Sequence, residues 1–164
     1  MERLGVDLGG VIIPRIFDGQ PLSFFRENRT GFLSIRPIEF SIEALGLLNM
    51  GRFPGAVFLI IAASEGVEKK SREWLDHWNF QRRTGIPESR IYFCRKGSMK
   101  AEIAREIGIS RMVDDKIDNL APMNFLEHRY LFNPREEETR FIEDFLTSVT
   151  VSYTWPQLFW QILR

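Results

Sequence analysis

The stretch Leu4-Gly5-Val6-Asp7-Leu8-Gly9-Gly10-Val11-Ile12-Ile13 constrains this chain more than any other, because one carboxylate stands between two apolar segments and is followed by two glycines. A carboxylate in such a run is costly to bury unless a cation or hydrogen-bond donors compensate it. Gly9-Gly10 lets the backbone turn tightly and come close to whatever does so. The pattern reads as a buried strand ending on Asp7. In open α/β sheets ligands bind just beyond the carboxyl ends of the strands, where Asp7 would sit. The competing reading is an Asp that ends a strand and caps a turn.

The remainder of the chain alternates strands with helices. Pro14 to Pro37, punctuated by Pro14, Gly19, Pro21 and Gly31 with Phe17, Phe24, Phe25 and Phe32 between them, reads as a flap-like insertion, irregular or hairpin-like. Pro37 can open a helix carrying Ile38, Ile42, Leu45 and Leu47 or Leu48, which Gly51 and Pro54 end. The continuous apolar run Val57 to Ala63 fits a parallel strand covered on both faces and ends on Ser64. An amphipathic helix from about Glu65 to Arg82 carries Val67, Trp74, Leu75 and Trp78. Strand Arg90 to Cys94, helix Ser98 to Ile107, strand Met112-Val113 stopping on Asp114-Asp115, and a short helix around Ile117 to Met123 follow. Strand Arg129 to Phe132, helix Glu136 to Leu146 and a terminal helix within Trp155 to Leu163, docked on the sheet, complete the series. Strands alternating with helices imply βαβ units with right-handed crossovers, so the fold class is α/β with a mostly parallel sheet.

Composition narrows the function classes. The 164 residues fit one domain, 1–164, and the 22 basic and 22 acidic residues leave a formal net charge of +0. Nothing there favours a polyanion or an anionic membrane, so nucleic acid is an unlikely partner. Cys94, the single cysteine, excludes an intramolecular disulfide and a cysteine-rich metal cluster, and points to a reducing, cytoplasmic setting. No secretory leader pattern and no bilayer-length apolar run is read in the sequence, which is expected to be soluble with no membrane partner.

Three expected strands end on residues with chemistry: Asp7, Ser64 and the Asp114-Asp115 pair. In a parallel sheet these ends share one edge. Lys100, at the front of the helix before Asp114, adds a cation. Carboxylates for a hard divalent cation, a hydroxyl donor and a lysine for an anion are the set that phosphoryl chemistry requires, with a carboxylate able to act as the in-line nucleophile. Each residue also has a plainer role. Ser64 can cap the following helix, Lys100 can be solvated on a helix surface, and Asp115 can point away from the site. His77 and His128 have no ligand-like spacing and read as neither catalytic nor metal-binding; the four tryptophans read as core or partner-facing surface. Gly97-Ser98-Met99-Lys100 lacks the P-loop pattern.

In order along residues 6 to 118, these residues resemble the four motifs of the haloacid dehalogenase superfamily of magnesium-dependent phosphatases. The first motif of that family is an apolar strand followed by Asp-x-Asp-Gly-Thr or Val, which here reads Asp7-Leu8-Gly9-Gly10-Val11. The resemblance implies a three-layer Rossmann-like fold without a large cap domain. It implies Asp7 as nucleophile and magnesium ligand, the Gly9 carbonyl as a further ligand, and Gly9 and Gly10 close to the phosphate. It also implies Ser64 as the phosphoryl-binding hydroxyl, Lys100 (alternatively Lys96) as the phosphate lysine, and Asp114 with Asp118 (alternatively Asp115) as the acidic metal-binding pair. The implied activity is magnesium-dependent phosphomonoester hydrolysis through an aspartyl-phosphate, on a phosphorylated small molecule or a macromolecular phosphate ester. The sequence departs from the family at Gly9, where family phosphatases place the Asp that acts as acid and base. Such assistance is worth about 10²- to 10⁴-fold, so a slow or specialised enzyme is expected. Two alternatives are a non-catalytic relative that keeps the metal site as a binding module, which Gly9 favours, and a receiver-like phosphoacceptor module. Chain order opposes the latter, since receivers place the acidic pair after the first strand and the lysine last.

Overall fold

The computed structural model describes residues 1–17, 20–21, 31–139 and 149–164, with 16–17 and 20–21 described by backbone alone. Six strands form one sheet: β1 (Leu4–Val6), β4 (Val57–Ala62), β5 (Ile91–Cys94), β6 (Arg111–Asp114), β7 (His128–Phe132) and β8 (Val149–Ser152). Their spatial order is β5-β4-β1-β6-β7-β8, and every pairing is parallel. A separate two-stranded antiparallel pair, β2 (Ile16–Phe17) with β3 (Gln20–Pro21), lies in the flap. Within the expected flap 14–37, residues 18–19 and 22–30 lie outside the described residues, as does most of the expected helix Glu136 to Leu146, of which one helical turn over 136–139 is described.

The chain fills one half of the sheet outward from β1 through β4 to β5, then returns to the other flank of β1 and fills β6, β7 and β8. The reversal sits between β1 and β6. In register, Leu4 stands beside Val57 on one side and Arg111 on the other. Ligands of open α/β sheets bind in the crevice beyond the carboxyl ends of strands at such a reversal, and here the two strands that flank it end at Val6 and Asp114.

Both faces of the sheet are covered, which explains why the central strands read as continuous apolar runs rather than alternating ones. Leu4 and Val6 point to one face, where they join a buried cluster with α1 (Ser41–Met50), α2 (Glu65–His77) and α6 (Trp155–Leu163). The opposite cluster unites Ile60, Met112 and Leu131 with Ala104 of α4 (Lys100–Glu106) and Leu120 of α5 (Ile117–Leu120). Gly5 faces that second layer, where a Cβ would lie 2.7 Å from Met112 Sδ; the missing side chain is what lets this core close.

Four elements differ from the sequence reading. The segment Glu65 to Arg82 is two helices, because Asn79 takes a left-handed conformation (φ 53°) that turns the chain into α3 (Phe80–Thr84). This turn buries Phe80 and sets α3 against α1, where a Cβ on Gly46 would lie 2.9 Å from the Arg83 carbonyl oxygen. The first helix starts at Ser41 rather than Pro37, since Phe40 also stands in the left-handed region (φ 65°). The helix around Lys100 begins as a 3-10 turn, Gly97–Met99. Strand β8 was not read from the sequence at all. The terminal helix docks as expected, with Trp155, Leu158 and Ile162 buried and Thr154 capping it by accepting from Gln157 N–H. Of the four tryptophans, Trp74 and Trp155 are fully buried and Trp160 is 64% exposed. Between β4 and β5 stand only α2, α3 and a 3-10 turn, Glu88–Arg90, so no large cap is inserted there. Among the described residues no helix is long and apolar enough to cross a membrane.

Candidate functional site

The loop that follows β1 is tightly wound. Leu8 carbonyl accepts hydrogen bonds from the backbone N–H groups of Ile12 and Ile13, and Gly10 N–H donates to the Ile13 carbonyl at 2.7 Å. Trp155 of α6 donates its indole N–H to the Val11 carbonyl at 2.6 Å, tying the C-terminal helix to this loop. Gly10 takes φ 76° and a Cβ there would overlap the Asp115 carboxylate, so the second glycine is required by conformation and by space. Gly9 is different: it is exposed, its φ is not positive, and a Cβ would meet nothing within 4 Å.

This loop forms one wall of a cleft of about 790 Å³ at the sheet reversal. Asp7, Gly9, Gly10, Ser64 and Lys100 all line it, as does Asp115. Asp7 is buried, its backbone N–H donating to the Val113 carbonyl at 2.9 Å. Its Oδ1 accepts from Leu8 N–H at 2.8 Å and from the Lys100 ammonium at 2.9 Å. Asp7 Oδ2 has no partner among the described residues. Lys100, only 1% exposed, also reaches Asp114 Oδ2 at 2.7 Å. Asp114 is fully buried, and its Oδ1 accepts from Asn119 Nδ2 at 2.9 Å and from Lys116 N–H at 3.0 Å. Both Asp114 oxygens are thereby engaged, and Asp114 clamps the lysine to Asp7.

One oxygen each from Asp7, Asp114 and Asp115 lies within 4.8 Å of the others. Asp115 is 2% exposed, its Oδ1 is buried without a hydrogen-bond partner, and its Oδ2 is 3.8 Å from Arg15 Nη1. Arg15 also donates to the Asn133 carbonyl at the end of β7. Asp118, by contrast, is exposed in the first turn of α5 and is not among these residues, so the third carboxylate is Asp115 and not Asp118. The resemblance implied Asp118 with Asp115 as the alternative, and it is Asp115 that joins the cluster: Asp114 is the last residue of β6, so strand alternation no longer governs Asp115, which is buried beside it. Lys96 is exposed, whereas Lys100 is buried between the two carboxylates, which separates the two lysine candidates. Ser64 caps α2 by accepting from Val67 N–H at 3.4 Å while still facing the cleft. Arg15 and Asn119 were not anticipated; an amide five residues beyond Asp114 carries no signal until α5 folds back over β6.

Burial disfavours the charged forms of Asp7 and Asp115. Desolvation, opposed by Lys100 and reinforced by Asp114, raises Asp7 to about 6, and desolvation with the nearby charges of Asp7 and Asp114 raises Asp115 to about 7. Burial would depress Lys100, but Asp7 and Asp114 outweigh it and hold its ammonium above the ordinary lysine value. An acid that holds its proton more tightly folded than unfolded contributes stability that is complete below its ordinary value of 3.8 and is lost as the pH rises through its folded value. Asp115→Asn removes that loss without changing shape. The variant is therefore expected to gain stability relative to the wild type as the pH rises from about 4 to above 7, read by urea denaturation in chelator. A difference that stays constant with pH would contradict the burial assigned to Asp115.

An unpaired buried oxygen inside a set of three converging carboxylates, with burial disfavouring the charged forms of Asp7 and Asp115, fits a hard divalent cation with oxygen ligands. Chemically, the site offers one uncommitted carboxylate oxygen on Asp7, a fixed ammonium beside it and a hydroxyl across the cleft. The fold and site thus define an α/β protein with a carboxylate–lysine centre at its sheet reversal. Comparison with known protein families and with curated proteins finds no match.

Proposed function

We propose that this protein is a magnesium-dependent phosphomonoester hydrolase that works through an aspartyl-phosphate on Asp7, in the manner of haloacid dehalogenase-like phosphatases. The observation that carries the reading is Lys100, buried between Asp7 and Asp114 at 2.9 and 2.7 Å, because it places a permanent positive charge beside a carboxylate whose other oxygen is uncommitted. Asp7 Oδ2 attacks phosphorus, the bond from phosphorus to the ester oxygen breaks, and the alcohol leaves with a proton drawn from solvent. Water then attacks the phosphorus of the acyl-phosphate, releases inorganic phosphate and regenerates Asp7. Lys100 offsets charge that builds on the phosphoryl oxygens, and the Ser64 hydroxyl donates to one of them. Magnesium held by Asp7 and Asp115, with Asp114 and the Gly9 carbonyl in support, supplies further charge neutralisation when bound.

No acid stands at position 9, so the reaction depends on the leaving group. Gly9→Asp is expected to raise turnover of alkyl phosphates by about 10²-fold while leaving aryl phosphates with acidic phenols little changed. The backbone tolerates it, since Gly9 has open space and no positive φ. Gly10→Asp is the control: with φ 76° and the Asp115 carboxylate in the way, it is expected to destabilise the fold and gain nothing. Thermal melts and phosphatase assays on both variants read the contrast. A folded Gly9→Asp with no gain on alkyl phosphates would mean that position 9 does not face the leaving group. Magnesium binding with no hydrolysis of any ester, before and after Gly9→Asp, would instead favour the binding-module reading.

A further inference from the structure

We infer that the substrate is a small molecule carrying a second phosphate group, held at the rim of the cleft by Lys116 and Arg135. The inference rests on the reading of Asp7 and Lys100 as the phosphoryl-transfer centre. Although the chain is balanced at 22 basic and 22 acidic residues, the cleft is lined by five Lys or Arg residues against two acidic ones, Asp7 and Asp115, both members of the carboxylate cluster. Away from that cluster every ionisable lining residue is basic.

Three of the five cations have internal work. Lys100 is neutralised by Asp7 and Asp114, Arg95 pairs with Glu68 at 2.7 Å and donates to the Ala63 carbonyl, and Arg15 spans Asp115 and the Asn133 carbonyl. Arg135 remains, and so does Lys116, whose charge acts on Asp115 only from a distance. Both are exposed, and neither side chain has an ion-pair partner among the described residues. Their backbones are nevertheless anchored, Lys116 N–H donating to Asp114 Oδ1 and Arg135 N–H to Glu138 Oε2. They follow β6 and β7, on the side of the cleft away from Ser64 and Arg95. A single phosphoryl group needs one lysine and a cation and fills a small part of 790 Å³, a volume within the range of sites for whole small ligands. Glu136, Glu137 and Glu138 follow Arg135 but do not line the cleft, so the surplus within the lining is positive and matches a second anion; a phosphate accepts a guanidinium fork and an ammonium.

The test is binding, independent of turnover: calorimetric titration of the full chain in magnesium with phenylphosphonate and with 1,4-phenylene bisphosphonate, which cannot be hydrolysed. The bisphosphonate is expected to bind about tenfold more tightly, an advantage that shrinks as salt is raised. Lys116→Ser/Arg135→Ser should remove the advantage, and Lys116→Arg should keep it; both substitutions are at exposed positions and should leave the thermal melt unchanged. Equal affinities in the wild type, or an advantage that survives in the double variant, would overturn the second-phosphate site. A phosphopeptide with flanking acidic residues binding more tightly than the bisphosphonate would overturn the small-molecule assignment. Bisphosphonate binding that depends on Lys116 and Arg135 in a protein with no esterase activity would uphold this site while removing the hydrolase reading. Failure of both phosphonates to bind would overturn both.

Discussion

Lys100→Met is expected to cost about 3–5 kcal/mol in the metal-free protein at neutral pH, the range found when one partner of a buried ion pair is removed and the other charge stays behind. The lysine is 1% exposed and touches two carboxylates, so its loss leaves Asp7 and Asp114 facing each other with only the Leu8, Lys116 and Asn119 donors in compensation. Methionine fills nearly the same volume, which keeps a cavity from contributing. The deficit should shrink toward acid pH, where Asp7 takes up a proton. Added magnesium should recover part of it by binding only the folded state. Lys96→Met is the matched control, because Lys96 is exposed and its substitution should change stability by no more than about 0.5 kcal/mol. Urea denaturation of the two variants measures both effects. A Lys100→Met loss under about 1 kcal/mol would mean that the buried lysine is not the charge that holds the cluster together.

Asp7→Asn is expected to lower turnover by about 10⁴-fold or more, as loss of a nucleophile does when the remaining groups can still bind the substrate. The amide oxygen can keep the Leu8 and Lys100 hydrogen bonds that Oδ1 now accepts, so the fold should survive. It supplies no anionic oxygen to attack phosphorus. Steady-state assays on an activated aryl phosphate, with the thermal melt as the check on folding, read the result. Retained activity would move the chemistry to a different residue.

Much of this site was legible because strand ends are marked in the sequence. Asp7, Ser64 and Asp114 each follow a short apolar run, and a parallel sheet brings such ends to one edge, which is where the cleft lies. The choice between Asp115 and Asp118 was not legible. The family's acidic pair can be matched with either residue, yet Asp118 lies on the exposed side of α5, while Asp115 sits at a bend where neither helical nor strand periodicity applies. Lys100 reads as an ordinary helix-surface lysine until the 3-10 turn Gly97–Met99 tips the start of α4 toward the sheet edge. A Cβ on Gly97 would overlap the Asn119 carboxamide, so that approach depends on a glycine whose role appears only once α5 folds against it. Strand β8 escaped notice because Val149-Thr150-Val151-Ser152 is short and half polar, and its pairing with β7 at the sheet edge is a tertiary fact. The break at Asn79 was hidden because Val67, Trp74, Leu75 and Trp78 keep helical spacing up to it and no glycine or proline follows until Gly85.

The claim on which the account turns is that Asp7 carries the phosphoryl group during turnover. Quenching the protein with borohydride while it hydrolyses an activated aryl phosphate in magnesium reduces an acyl-phosphate to an alcohol, and peptide mass spectrometry then locates the change. The account predicts homoserine at position 7, absent without substrate or in Asp7→Asn. Steady hydrolysis with Asp7 unaltered, or reduction at Asp114 or Asp115 instead, would contradict it.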